Sequence, residues 1–315
     1  MRKIYRYLIK GGIILISLIV ISVALLWWYI SMWVQKADPD FDATVINPTF
    51  QVEHPKVLFD EAHYNFHTTE GTYSPFVKLI RNDGYLVFQN TERFQADLLE
   101  QYNLLVISNA RGSNQSGTRD RPAFTEAECG AVYIWVQSGG ALLLIADHAP
   151  YGAAAEILSK RFEVKMSNCD TVDPVNHDEK TGFEGVLVFS RENGLLGDHP
   201  ITRGRERGER INRVHTFNGQ SLKGPDGCTA FLILSDTAID VYGDGSRSSA
   251  SGRAQGIAME IGRGRVVILG EAAMLTAQIT QVPFKKKMRS GISQTDIDNK
   301  QLVLNIVRWL SRLLD

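Results

Sequence analysis

Residues 139–156 read GGALLLIADHAPYGAAAE. The apolar run ALLLIA (141–146) shows no alternation, so it reads as a strand buried on both faces. Gly139-Gly140 closes what precedes it, and GAAAEILSKRF (152–162) follows as a helix. Between strand and helix stand two ionisable residues, Asp147 and His148. A buried strand, a polar exit and a covering helix form the repeating unit of a parallel sheet.

The same unit recurs on both sides. VLFD (57–60) reads as a strand, and Ser74-Pro75 starts a helix with Ser as N-cap and Pro at the first helical position. YLVF (85–88) and LLVIS (104–108) are further strands, with a short helix near 91–100 between them. Thr125 and Glu128 make a capping box for a helix running to about Gln137. The pattern loosens over 163–225, an irregular insertion with some strand, such as GVLVF (185–189). TAFLIL (229–234) and a hairpin within 255–271 restore the sheet, and AAMLTAQ after Glu271 reads as helix. A last helix, 298–314, buries Leu302, Ile306, Leu310 and Leu313 at helical spacing. The expected fold is α/β: a doubly wound, mostly parallel, flavodoxin-like sheet.

The N-terminus has a different character. Residues 11–34, GGIILISLIVISVALLWWYISMWV, hold no charge. As a helix this run is roughly 36 Å long, enough to cross a bilayer. Arg2, Lys3, Arg6 and Lys10 precede it, and Asp38, Asp40 and Asp42 follow. The positive-inside rule puts 1–10 in the cytoplasm and the body outside, periplasmic in a Gram-negative cell. Trp27, Trp28, Tyr29 and Trp33 suit the outer interface. The run ends in WWYISMWVQK without small residues, which favours an uncleaved anchor over a signal peptide. Residues 35–52 read as a linker and 53–315 as the extracytoplasmic domain.

The whole chain carries 34 basic and 35 acidic residues. Residues 1–36 contain basic residues and no acid, so the body is mildly acidic, which argues against nucleic acid as partner. Cys129, Cys169 and Cys228 allow at most one disulfide and show no metal-ligand spacing.

In an open parallel sheet, ligands bind beyond the carboxyl ends of the strands. The residues leaving those ends are Asp60, Glu61, His63 and His67; Asn109 and Arg111; Asp147 and His148; and Glu271. Together they form a candidate binding rim. Each has a plainer reading. Asp60 and Glu61 can satisfy strand-end amides, Asp147 can be an N-cap, and Glu271 can serve a helix dipole. His63 and His67, four apart, lack the Glu of a HExxH zinc motif. His199, before Pro200, reads as a turn residue, and KKKMR (285–289) as a solvated basic loop or a contact for anionic headgroups.

VLFDEAHYNFHT, GGALLLIADHAPYGAAAE, GDHPITRG, FNGQSL and GRGRVVILGEAAMLTAQ together resemble a bacterial membrane-anchored family of unknown function. That family is similar to the class I glutamine-amidotransferase-like superfamily. The resemblance covers roughly 55–313 and implies a flavodoxin-like core. The superfamily's amidotransferases carry a nucleophilic Cys at a strand-to-helix elbow, where this sequence has IADHAPYG and no Cys. Glutamine hydrolysis is therefore not expected.

Three functions follow as expectations. The first is a sensory or accessory module binding a ligand or protein partner at the rim. The second is a metal-dependent hydrolase in which Asp60, His63, Asp147, His148 and Glu271 hold zinc or manganese and activate water. The third is a structural subunit of a membrane assembly.

Overall fold

A computed structural model describes residues 2–31, 34–113, 121–281 and 288–315, with side chains from 15 to 29 in the first helix and from 35 onward. The central sheet contains β1 (Lys56–Asp60), β2 (Leu86–Asn90), β3 (Leu104–Ser108), β4 (Ala141–Ile145), β5 (Lys165–Met166), β6 (Leu222–Lys223), β7 (Thr229–Ile233), β8 (Ala254–Ile261) and β9 (Gly264–Leu269). Its order is β2-β1-β3-β4-β9-β8-β6-β5, with β7 also paired to β8. The first five strands of that order are mutually parallel. From β8 onward the pairings are antiparallel. The order of the parallel part, with its reversal beside β1, is that of a flavodoxin-like sheet.

The longer helices are α1 (Arg2–Ser31), α2 (Ser74–Asn82), α3 (Glu126–Gln137), α4 (Tyr151–Arg161) and α5 (Asn299–Leu310). Successive strand residues feed opposite layers. Val57, Phe59, Val106 and Leu143 pack with α2 and α5. Leu58, Leu105, Ile107, Leu142 and Leu144 pack with α3 and α4. Each such side chain contributes about 1.5–3 kcal/mol by leaving water, which is why the strands are apolar at every position. Buried among these layers, Arg308 of α5 makes two 2.8 Å bonds to Asp83 and one of 2.7 Å to Glu209.

Several local expectations are corrected. Asp147 does not cap α4, because Pro150 holds the cap position. Ser74 is the first helical residue rather than the cap. Residues after Glu271 form only a short turn, Ala273–Leu275, before the strand Ala277–Gln281. The C-terminal helix stops at Leu310, so Leu314 is buried and Leu313 only half-buried. Of GVLVF, only its last two residues enter a strand, Val188–Ser190, which pairs with Arg213–His215 outside the main sheet.

Residues 35–52 are not a free linker. The strand Val34–Ala37 pairs antiparallel with Ala277–Gln281, which pairs in turn with Met288–Gly291. Asp38, Phe41 and Ala43 are buried against the body. The helix α1 is continuous from Arg2 to Ser31. Its large apolar side chains within 15–29 are all exposed, from Tyr29 at 43% to Trp27 at 74%. Among the described residues no helix is long and apolar enough to cross a membrane. Trp33 and the side chains of 11–14 and 30–34 in the expected span lie outside the described residues.

Candidate functional site

The rim residues fall into two separate groups. The first is a closed charge relay at the end of β1. His63 Nδ1 lies 2.9 Å from both carboxylate oxygens of Asp60, and Nε2 lies 2.9 Å from Glu128 Oε1. Both ring nitrogens face carboxylates, a setting that favours the doubly donating, charged imidazole. Burial opposes that charge, but Asp60 and then Glu128 outweigh it, and the His63 pKa is raised. Glu128 is buried too, yet Thr125 and His63 bring its carboxyl down to about 2. The remaining capacity is filled. Asn65 and Asn90 donate to Asp60 at 3.1 and 3.2 Å, and Arg93 and Thr125 donate to Glu128. Phe94 and Phe124 flank the ring at 4.8 and 4.7 Å. Sequence reasoning missed Glu128 in this role, because its capping box, which the structure contains, explained it fully.

Two further rim residues hold the loop that follows β1. Glu61 accepts from the backbone and hydroxyl of Thr69, both at 2.7 Å. His67 is buried, with Nδ1 2.5 Å from Thr72 Oγ1, and burial, helped by Arg111, pushes its pKa down to about 3.

The second group lies where β3, β4 and β9 end. Asn109, in the left-handed region at φ 49, accepts the Asp147 backbone N–H at 2.9 Å. Asp147 Oδ1 accepts from His148 N at 2.8 Å. Glu271 is fully buried, and its two oxygens take the Ala273 and Met274 amides at 2.6 and 2.7 Å. Burial raises the pKa of Asp147 to about 6, against the pull of His148 and its amide. Burial, and then the charge of Asp147, hold Glu271 well above the carboxylate range. Two buried carboxyls that feel one another favour keeping at least one of them protonated.

Tyr73 and Ser108 complete this floor. Tyr73 donates to Ala272 O at 2.7 Å. Burial holds its phenol well above the ordinary value, and Glu271 and Asp147 add to that. The buried Ser108 hydroxyl sits near enough to ease Tyr73 ionisation, without reaching hydrogen-bond geometry to any partner. Gln220 pins the exit of β4, donating to Ala146 O and Asp147 O at 2.9 and 2.8 Å. Its neighbour must be glycine: a Cβ on Gly219 would lie 2.4 Å from Gly270 O and 2.6 Å from Glu271 Cβ.

The side chains around the exits of β3 and β4 are polar and aromatic. The Arg111 guanidinium lies 4.8 Å over the Phe66 ring and donates to Tyr151 Oη at 2.9 Å. His148 is partly exposed. Its Nδ1 donates to Ala149 O at 2.9 Å, which leaves Nε2 as the basic nitrogen. Asp170 stands 4.0 Å from the same Nδ1.

The five residues expected to hold a metal are therefore not one set. Asp60 and His63 belong to the closed relay, while Asp147 and Glu271 belong to the second group. Among the described residues no group of three or more His, Cys, Asp or Glu could hold a metal ion. His199 caps the short turn Pro200–Arg203 and stays out of the rim. Lys285, Lys286 and Lys287 lie outside the described residues, while Arg289 pairs with Asp38 and Asp40. The three cysteines are free and none leaves a sheet strand at the rim. Burial pushes the Cys129 and Cys169 thiols up to about 12.

No family model matches the sequence, and no curated protein matches it. Solved structures do. The mmIFT52 N-terminal domain is similar at a TM-score of 0.57 and 15% identity, covering 81% of this chain and 97% of that one. A ThuA-like protein from Bacteroides uniformis follows at 0.44 and 15%, covering 84% and 94%. A Thermoplasma acidophilum protein described as a GMP synthase component follows at 0.43 and 11%, covering 83% and 96%. At such identities the likeness concerns fold alone. By strand order the chain is a flavodoxin-like α/β domain.

Proposed function

We propose that the chain is a membrane-tethered binding module. Its ligand or partner docks at the mouth formed by Arg111, Tyr151 and His148 over the buried Asp147–Glu271 pair. The single observation behind this reading is that pair: two buried carboxyls at the ends of neighbouring strands, kept at a cost in stability that packing alone does not require. At the β4 exit, where the superfamily's elbow would carry its thiol, stands Asp147. The buried thiols elsewhere are poorly ionised, which favours recognition over covalent chemistry.

The tether is part of the same proposal. The apolar side chains that α1 exposes between residues 15 and 29 favour lipid over water. The charge asymmetry read from the sequence puts its N-terminus in the cytoplasm and the domain outside.

Elemental analysis of the full chain, purified in detergent without chelator, tests the reading. Binding without a resident metal predicts substoichiometric metal in wild type and in Asp147→Ala alike. Stoichiometric zinc or manganese, lost in Asp147→Ala or His148→Ala, would overturn it in favour of a metal-dependent hydrolase.

A further inference from the structure

The path of the chain between α1 and the body fixes which side of the domain the tether leaves. Helix α1 ends at Ser31, and Val34 is already paired with Gln281. Those three steps span at most about 11 Å. The strand receiving Val34 descends directly from the carboxyl end of β9, through Glu271 and the turn Ala273–Leu275. It is buried at Ala277, Gln278 and Ile279 and half-exposed at Thr280 and Gln281, where α1 joins. The chain then runs to the opposite, amino end of the strands before β1. Ala43 O accepts from Asn82 and Phe50 N donates to Asp83 O, both at the end of α2 nearest the start of the strands. The tether thus emerges from the rim side, not from the far pole.

That same side presents aromatic rings to the outside. Tyr64 and Phe66 are 54% and 40% exposed. Tyr64 holds φ 53, a left-handed conformation that is strained for a bulky residue. Its neighbours enforce this. Asn65 accepts from His63 N at 3.2 Å and donates to Asp60 and to Ser108 O at 3.1 and 3.3 Å. Strain spent on turning a phenol into solvent has no packing return in the isolated domain. Exposed tyrosine and arginine side chains suit the headgroup layer of a bilayer, where an apolar body and a polar tip are both satisfied. Arg111, stacked on Phe66, adds affinity for phosphate.

We propose that the rim lies against the membrane that holds α1, with Tyr64 and Phe66 in the phospholipid headgroup layer, so that the site opens toward ligands presented from the bilayer. This rests on the tether reading above. Because the contact is intramolecular once α1 is inserted, two aromatic rings and one guanidinium suffice to hold it.

The test uses the full chain in vesicles of phosphatidylcholine and phosphatidylglycerol. A fluorophore is attached at Tyr64→Cys or, as a control at the amino end of the strands, at Glu100→Cys, both in a Cys228→Ser background. Headgroup-labelled nitroxide lipid should quench the label at 64 at least about twofold more than the label at 100. Equal quenching, in a chain that floats with the vesicles and resists carbonate extraction, overturns the orientation while leaving the tether intact. Failure to float overturns the tether and this proposal with it. Phe66→Cys provides the second position should Tyr64→Cys not fold.

Discussion

His63 Nε2 lies 2.9 Å from Glu128 Oε1, joining the first strand exit to the start of a helix 65 positions later. With Asp60 on the other ring nitrogen, one imidazolium serves two buried carboxylates. Its backbone carbonyl also accepts from the amides of Arg111 and Gly112 at 3.0 and 2.9 Å. The relay therefore supports the rim from below without being part of its opening.

Replacing His63 by Ala leaves two buried acids without their shared partner. The expected loss is about 3 kcal/mol in urea unfolding of the full chain in detergent. Its pH dependence has a definite sign. The raised pKa of His63 gives stability that is complete below its unfolded value of 6.5 and fades as pH rises through the folded value. The lowered pKa of Glu128 gives stability present above 4.5 and lost as pH falls toward about 2. The gap between wild type and His63→Ala should be widest between those limits. A gap independent of pH would show that the relay is uncharged.

Asp147 should behave in the opposite way. Its pKa is raised from 3.8 to about 6, so folding favours the protonated acid and stability falls as pH climbs between those values. Asp147→Asn keeps an oxygen for the His148 amide and has no charge to desolvate. The variant should melt at the same temperature as wild type near pH 3.8 and at least about 2 °C higher above pH 6. A lower melting temperature at pH 7 would mark Asp147 as a structural cap and remove the main support for the site.

The parallel core was legible because each strand is apolar at consecutive positions, as in LLVIS and ALLLI, and each exit carries polar residues. Which exits meet was not. Asp60 and His63 could be placed on the rim from the sequence, but their partner Glu128 already had a sufficient local role at a helix start. Tyr73 and Gln220 carried no local signal, since their importance comes from chain segments that meet only in the folded sheet. Residues 35–52 looked like a linker through their polar composition. Their docking depends on a strand, Ala277–Gln281, whose start was expected to be helical.

The cysteines offer a test of the absence of thiol chemistry. Cys129 and Cys169 are buried and their thiols are pushed up to about 12, whereas Cys228 is only half-buried. Iodoacetamide at pH 7.5 should label the folded chain at Cys228 or not at all, and all three sites after denaturation, as read by mass spectrometry. Rapid native labelling of Cys129 or Cys169 would reveal an activated thiol and reopen nucleophilic catalysis.

Arg308 and Asp83 are separated by 225 positions and share two 2.8 Å hydrogen bonds in the interior. The third arm of the guanidinium reaches Glu209 at 2.7 Å, and Asp83 also takes the Thr49 amide at 2.9 Å. One side chain thus ties α5, the end of α2, the insertion and the segment following α1 together. Arg308→Ala should cost about 3–5 kcal/mol, because it strands Asp83 and Glu209 in the core. Arg308→Lys should recover little of this, since a point ammonium cannot supply the planar fork that serves both acids. Arg308→Met combined with Asp83→Asn should recover more than Arg308→Lys, because one of the two stranded charges leaves with its partner. Lysine restoring wild-type unfolding would show that charge alone, not the fork geometry, holds these four segments together.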